Sequence, residues 1–315
     1  MATSEPNAAD AGNLVAAALG CVPTEVRRFG TGSQHYVFEA TFKDREPVVV
    51  RIAAEHSRPA MAGAYELSQL LRSKGVPLPK IIVEQLNHHF SHLIFERLPG
   101  TDLGEVIRGL SDSSLEAIAV QVARAQRITA KTATDRCYGY GVKPTDAPHA
   151  KWSQVLQDNL ARSRRRIAAA KLFDQKPVDA VTQMVAASCS ELDALPPIPF
   201  LHDTTTKNVI VTREDTFSGI VDVDDLCFGD PRYVVALTLA SLMVMDGPIH
   251  YVDRWMNLAS YRYDRIFQLY VALFIVDFMS EHGQAFNGNM LSSSPESRNR
   301  LLRIFTQQLR LMGVD

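Results

Sequence analysis

The hydrophobic pattern changes period partway along the chain, and that change restricts the fold more than any other feature. From residue 25 to 98, apolar and β-branched residues come in short runs at Val26–Phe29, Tyr36–Phe42, Pro47–Ile52, Ile81–Val83 and Leu93–Glu96. Gly30-Thr31-Gly32-Ser33, Lys43–Glu46 and a histidine-rich turn at 88–92 punctuate them. Runs of this length between glycine-rich and polar breaks read as strands, and together they predict a five-stranded antiparallel sheet. Helices fit 9–19, stopped by Gly20, and Ala60–Lys74, stopped by Gly75 and Pro77-Leu78-Pro79. Beyond Gly100 the spacing turns helical, at 102–109, 112–130, 149–170, 176–194 and again from Tyr233, with short strands only near 200–201, 209–211 and 219–222. Mostly β followed by mostly α, in a chain of 315 residues, implies an α+β protein of two lobes, 1–98 and 99–315.

Composition removes several classes of partner. The formal net charge is -2, which offers no field for a nucleic acid or an anionic membrane. No apolar run approaches the roughly 20 residues that span a bilayer; Tyr270–Met279 is too short and carries Asp277. The four cysteines, Cys21, Cys137, Cys189 and Cys227, lack zinc or disulfide spacing and suit a reducing compartment. With an N-terminus that has neither a basic start nor an apolar stretch, these features predict a cytoplasmic protein.

Chemistry concentrates in Phe200-Leu-His-Asp-Thr-Thr-Thr-Lys-Asn-Val-Ile-Val211 and in Gly219-Ile-Val-Asp-Val-Asp-Asp225. Asp203 and Asn208 are five residues apart on a loop between apolar segments, and Asp222 ends a strand 14 residues later. Phosphoryl transfer uses such a set: one carboxylate orients and deprotonates the attacking hydroxyl, while an amide and a second carboxylate hold magnesium on the nucleotide phosphates. Each aspartate alone reads as readily as a turn or cap residue; the combination is what points to function.

With Gly229-Asp230-Pro231 following, these motifs resemble the aminoglycoside phosphotransferase and choline kinase family, distant relatives of the protein kinases. The resemblance covers roughly residues 12 to 310 and implies a bilobal protein-kinase-like fold with ATP, or GTP, and Mg2+ in the cleft between lobes. It implies Asp203 as catalytic base, Asn208 and Asp222 as metal ligands, and Asp224 as a second-metal candidate. Two residues depart from the family pattern: Leu201 stands where a histidine is usual, with His202 adjacent, and Val223 stands where an aromatic is usual.

The N-terminal lobe supplies the nucleotide side of this expectation. Gly30, Thr31, Gly32 and Ser33 would turn backbone amides toward phosphate oxygens, although a hairpin turn explains them equally well. Arg51, on the third strand, takes the place of the kinases' phosphate-binding lysine and offers a planar fork. Glu66, on the following helix, reads equally as an ion-pair partner for Arg51 or as part of a solvated helix face; Glu96 and Leu98 fall at the adenine-binding hinge; Lys207 is a candidate for the transferred phosphate. His88, His89 and His92 lack a carboxylate at ligand spacing. Arg162 and Arg164–Arg166 read as a solvated helix face, and Asp230 as a helix cap.

The expected activity is transfer of the γ-phosphate to a hydroxyl of a small molecule. The helices of the C-terminal lobe mix acidic and basic residues, so the expected acceptor is less cationic than an aminoglycoside. The rivals are a catalytically weak nucleotide-binding pseudokinase and a protein kinase; the second lacks an activation segment between Asp222 and Gly229. Nothing in the sequence sets the oligomeric state.

Overall fold

Asn7 starts the first helix by accepting from the amides of Ala9 and Asp10 (2.8 and 3.1 Å), while Asp10 returns a carboxylate oxygen to the Asn7 amide at 2.9 Å. This reciprocal cap satisfies donors that a helix start leaves open. In the computed structural model, which describes residues 5–30, 35–53, 55–133, 135–286, 289–290 and 293–313, the chain divides into two compact units. The first comprises Met1–Pro99, Gly219–Asp224 and Ala285–Met290; the second comprises Gly100–Ser218, Asp225–Gln284 and Leu291–Asp315.

The first unit contains α1 (Ala8–Leu19), β1 (Glu25–Arg28), β2 (His35–Thr41), β3 (Val48–Ala53), α2 (Arg58–Ser73), β4 (Ile81–Gln85) and β5 (His92–Glu96). The strands form one antiparallel sheet in the order β1-β2-β3-β5-β4, the five-stranded sheet expected from the sequence. Alternation assigns its faces. Tyr36, Phe38, Ala40, Val48, Val50 and Ile52 pack with Ala11, Leu14 and Val15 of α1. Ala53 and Leu93 pack on the other side against Met61 of α2. Arg51, two residues before Ala53 and paired with Leu93 across the ladder, therefore belongs to the face that α2 covers.

The second unit starts with β6 (Thr101–Asp102), α3 (Leu103–Val106), α4 (Asp112–Thr129), β7 (Gly139–Gly141), α5 (Trp152–Ala170), α6 (Lys176–Ala187) and α7 (Cys189–Leu192). It continues with β8 (Ile198–Phe200), β9 (Val209–Val211), β10 (Phe217–Ile220, whose last two residues belong to the first unit), β11 (Leu226–Gly229), α8 (Arg232–Met245), α9 (His250–Ala259) and α10 (Arg265–Glu281). The antiparallel pair β12 (Ala285–Phe286) and β13 (Asn289–Met290), which belongs to the first unit, precedes α11 (Pro295–Leu311) of the second. Three differences from the sequence reading have local causes. The stretch at 102 opens as strand because Thr101 and Asp102 pair with Val211 and Ile210. The helix expected over 176–194 breaks at Ser188, and β7, only three residues long, carries no readable period.

α10 is apolar on nearly every side and is buried among α5, α6, α8 and α11, as an all-round apolar helix must be. Trp152, Tyr233, Phe267 and Tyr270 fill this core. The Trp152 indole donates to the Tyr270 hydroxyl at 2.7 Å, which donates in turn to Asp230 at 3.0 Å. A Cβ on Gly229 would sit 2.2 Å from the Trp152 ring, so Gly229 is required by packing. Asp230, just before Pro231, caps the start of α8: its carboxylate accepts from the Arg232 backbone amide at 3.0 Å and also binds the Arg232 guanidinium and Tyr270. Among the described residues, no helix is long and apolar enough to cross a membrane.

Candidate active site

In the second unit, β8 and β9 bracket the loop that carries Asp203, Lys207 and Asn208. Its entry is held by Gln126 of α4, a buried amide that accepts from Leu201 N at 3.0 Å and donates to Leu201 O at 2.9 Å. Its exit is held by Asn208, whose Nδ2 donates to the Asp203 carbonyl at 2.8 Å and whose backbone amide donates to Thr205 O at 3.1 Å. Gly104 N reaches Thr206 O at 3.0 Å from α3. The loop is thus pinned on three sides, with the Asp203 and Lys207 side chains exposed.

His202 is the second support. Its Nε2 lies 2.6 Å from Asp225, and the edge of the Tyr140 ring meets it with centroids 4.9 Å apart. Leu201 itself is buried, so the departure from the family histidine is absorbed: Gln126 and the His202–Asp225 pair hold the loop.

In the first unit, Gly219 and Ile220 bring Asp222 and Asp224 against the sheet. Ile220 N donates to Pro77 O at 2.8 Å, and a Cβ on Gly219 would lie 2.8 Å from the same backbone oxygen, so only glycine permits that approach. Asp222 has φ 61, a left-handed conformation that aspartate tolerates better than most residues and that recurs at functional sites. Arg51 is 8% exposed and its Nη2 donates to Asp222 Oδ1 at 2.9 Å and, in a shorter contact, to Asp224 Oδ2. His35 Nε2 lies 3.5 Å from the same Asp224 oxygen. Burial would raise the Asp224 pKa, but the charge of Arg51, with His35 beside the carboxylate, holds it well below the usual carboxylate range. Burial works against the Arg51 charge, and the two carboxylates more than restore it.

The other expected nucleotide residues separate. α2 turns Met61, Ala64, Leu67, Ser68 and Leu71 inward, so Glu66 stands on its exposed side, and the ion-pair partners of Arg51 come from 219–224 instead. Glu96 accepts from Lys80 N at 2.7 Å and lies 3.7 Å from Arg72, tying β5 to the end of α2. Leu98 packs over Gly219. Gly30 is described, whereas Thr31, Gly32 and Ser33 lie outside the described residues. His88 and His92 both turn Nδ1 to the Phe90 carbonyl, bonds that shape their turn.

The donors suit magnesium by chemistry. The Asp222 side chain is half exposed, Asn208 has committed its nitrogen and keeps Oδ1, and Asp224 Oδ1 is buried without a hydrogen bond. All are hard oxygens of the kind magnesium takes alongside phosphate.

Sequence reasoning passed over a polar cluster in the second unit. Arg162 is not simply solvated: its Nη2 binds both oxygens of Asp277 (3.1 and 3.0 Å), and Ser163 adds a third bond at 2.8 Å. Glu281 lies beside them at the end of α10. Burial and the Asp277 charge push its pKa up to about 7, against the opposing pull of Lys207, Arg166 and Arg162. The sequence-level signal was Asp277 inside an otherwise apolar helix, a residue that needs a partner.

The model of the phosphotransferase enzyme family, APH, matches residues 25–267. Among solved structures, the chain resembles aminoglycoside phosphotransferase APH(2'')-Ib bound to ADP at 13% identity and TM-score 0.61, over 96% of this chain and 99% of that one. It resembles the apo form of a thermostable mutant of aminoglycoside phosphotransferase APH(4)-Ia at 14% identity and TM-score 0.65, over 94% and 98%. The gentamicin complex of APH(2")-IIa matches at 15% identity and TM-score 0.66, over 99% and 100%. At these identities the likeness is one of fold. No curated protein matches the chain.

Proposed function

The chain belongs to the phosphotransferase enzyme family, and from that premise we propose that it is an ATP-dependent kinase acting on a hydroxyl of a small molecule. The observation that carries this reading is the exposed Asp203 carboxylate on a loop whose backbone is fixed by Gln126 and Asn208. A general base must be held still and be reachable, and this carboxylate is both.

In this reading Asp203 orients the acceptor hydroxyl and takes its proton as the new oxygen–phosphorus bond forms. The bond from the γ-phosphorus to its bridging oxygen breaks, and ADP keeps that electron pair. Asn208 Oδ1 and the Asp222 carboxylate are the metal ligands, and Arg51 binds phosphate oxygens through its fork. Bound magnesium supplies neutralisation of charge on the β- and γ-phosphates. Lys207 approaches the transferred group from the same loop as Asp203.

The acceptor is a neutral or weakly cationic alcohol. Around the loop, Arg162, Arg166 and Lys207 are met by Asp203, Asp225, Asp277 and Glu281; Asp277 is already paired with Arg162, Asp225 lies against His202, and Glu281 is only partly ionised at neutral pH, which leaves no dense patch of negative charge. A polycationic aminoglycoside, such as the gentamicin held by APH(2")-IIa, needs denser negative charge than that. The test is a phosphorylation screen against aminoglycosides, amino alcohols, sugars and nucleosides at two salt concentrations. Aminoglycosides exceeding every other acceptor, with salt-sensitive turnover, would overturn the acceptor class. Nucleotide binding without turnover of any alcohol would reduce the protein to a binding module.

A further inference from the structure

We infer that Asp224 is the positioning residue that aims Arg51 at the nucleotide phosphates, a task the sequence had suggested for Glu66. This deepens the kinase reading and rests on it. A guanidinium this buried needs a carboxylate, because an uncompensated charge in a protein interior is strongly destabilising. Two carboxylates reach its Nη2, and they differ in surroundings. The Asp222 side chain is 50% exposed and can turn to an arriving cation; that of Asp224 is 17% exposed and has His35 on a second side. When Asp222 is drawn to the metal and phosphate oxygens take its place at Nη2, Asp224 keeps the guanidinium fixed. Glu66, exposed on α2, is not one of the two carboxylates that reach the Arg51 guanidinium.

The rival role for Asp224 is ligation of a second cation through Oδ1, which is buried without a hydrogen bond. The two roles separate in how affinity depends on magnesium, and no acceptor is needed to measure it. ATP is titrated calorimetrically into the full chain, once in EDTA and once in excess magnesium. The proteins compared are wild type, Asp224→Asn, Glu66→Gln, Arg51→Met and the double variant Arg51→Met/Asp224→Asn. Positioning by Asp224 weakens ATP about tenfold in both arms, as loss of a charged hydrogen bond does. Glu66→Gln then stays within about twofold of wild type, and Asp224→Asn adds nothing in the Arg51→Met background.

A loss confined to the magnesium arm would make Asp224 a metal ligand and overturn the inference. So would a larger loss in Glu66→Gln than in Asp224→Asn. If Asp224→Asn unfolds, the double variant, which lacks the buried cation, is compared with Arg51→Met; added loss in magnesium alone overturns the proposal and equality in both arms supports it. Wild type that binds ATP in neither arm removes the kinase reading itself, an outcome distinct from all the others.

Discussion

Replacing Glu281 by glutamine tests whether the polar cluster at the end of α10 carries the electrostatics ascribed to it. Its carboxyl is raised from an ordinary 4.5 to about 7 by burial and by Asp277. At about 1.4 kcal/mol per unit, that shift corresponds to at most about 3 kcal/mol. The side chain keeps some contact with solvent, so about 1–2 kcal/mol is the reasonable expectation. The sign follows from proton linkage. The folded chain holds the Glu281 proton more tightly than the unfolded chain, so this contribution to stability is complete below about 4.5 and is lost as pH rises through about 7. Glutamine preserves the shape but cannot ionise. Glu281→Gln should match wild type at pH 4.5 and exceed it by about 1–2 kcal/mol at pH 8, measured by urea unfolding at half-unit pH intervals. Other titrating groups cancel in the difference between the two proteins. A difference that does not vary with pH, or one that favours wild type at pH 8, would refute the reasoning.

Three further substitutions probe the site and its support. Asp203→Ala should lower turnover by roughly 100- to 10,000-fold with ATP affinity nearly unchanged, in single-turnover assays and calorimetry respectively; wild-type turnover would remove the base assignment. Asp222→Ala should lose the magnesium-dependent part of ATP binding, and the same Mg-ATP affinity in the variant and the wild type would contradict that role. Gly229→Ala should destabilise the second unit by about 1–3 kcal/mol, because the added methyl enters the Trp152 ring; an unchanged melting temperature would show that the indole has room to move.

The parts of the fold with a long period were legible before the structure. β2, β3 and β5 could be read from runs of β-branched and aromatic residues between polar and glycine breaks, whereas the register that puts Arg51 on the α2 side came from the strand pairing. β6, β7 and β11 were not read as strands, since two to four residues hold too little pattern to distinguish strand from turn. In the site, Asp203, Asn208 and Asp222 stood out through their combination and through the resemblance of that combination to the phosphotransferase pattern; the spacing of Asp203 and Asn208 alone would have been a weak signal. Gln126 did not: a glutamine in α4 looks like any polar helix residue, and only its position beneath Leu201 gives it a role. Arg162 and Asp277 are separated by 115 residues, and no local pattern contains both. At Glu66 the order of elements left two readings open, a partner for Arg51 and a solvated helix face, and the inward set of α2 puts it on the exposed side.

Asp222 carries two requirements on one residue, a left-handed backbone and a carboxylate. Glycine and asparagine meet the first at least strain, and both lack the second. Each is a single nucleotide change from either aspartate codon, whereas the alanine and valine that are equally close in the genetic code carry the backbone penalty. Mutational drift at this codon is therefore sorted by folding before it is sorted by chemistry. The substitutions that survive quality control are the ones that have lost the carboxylate cleanly. A lineage released from selection for phosphoryl transfer should accumulate asparagine or glycine at position 222 and leave behind a well-folded scaffold available for another role.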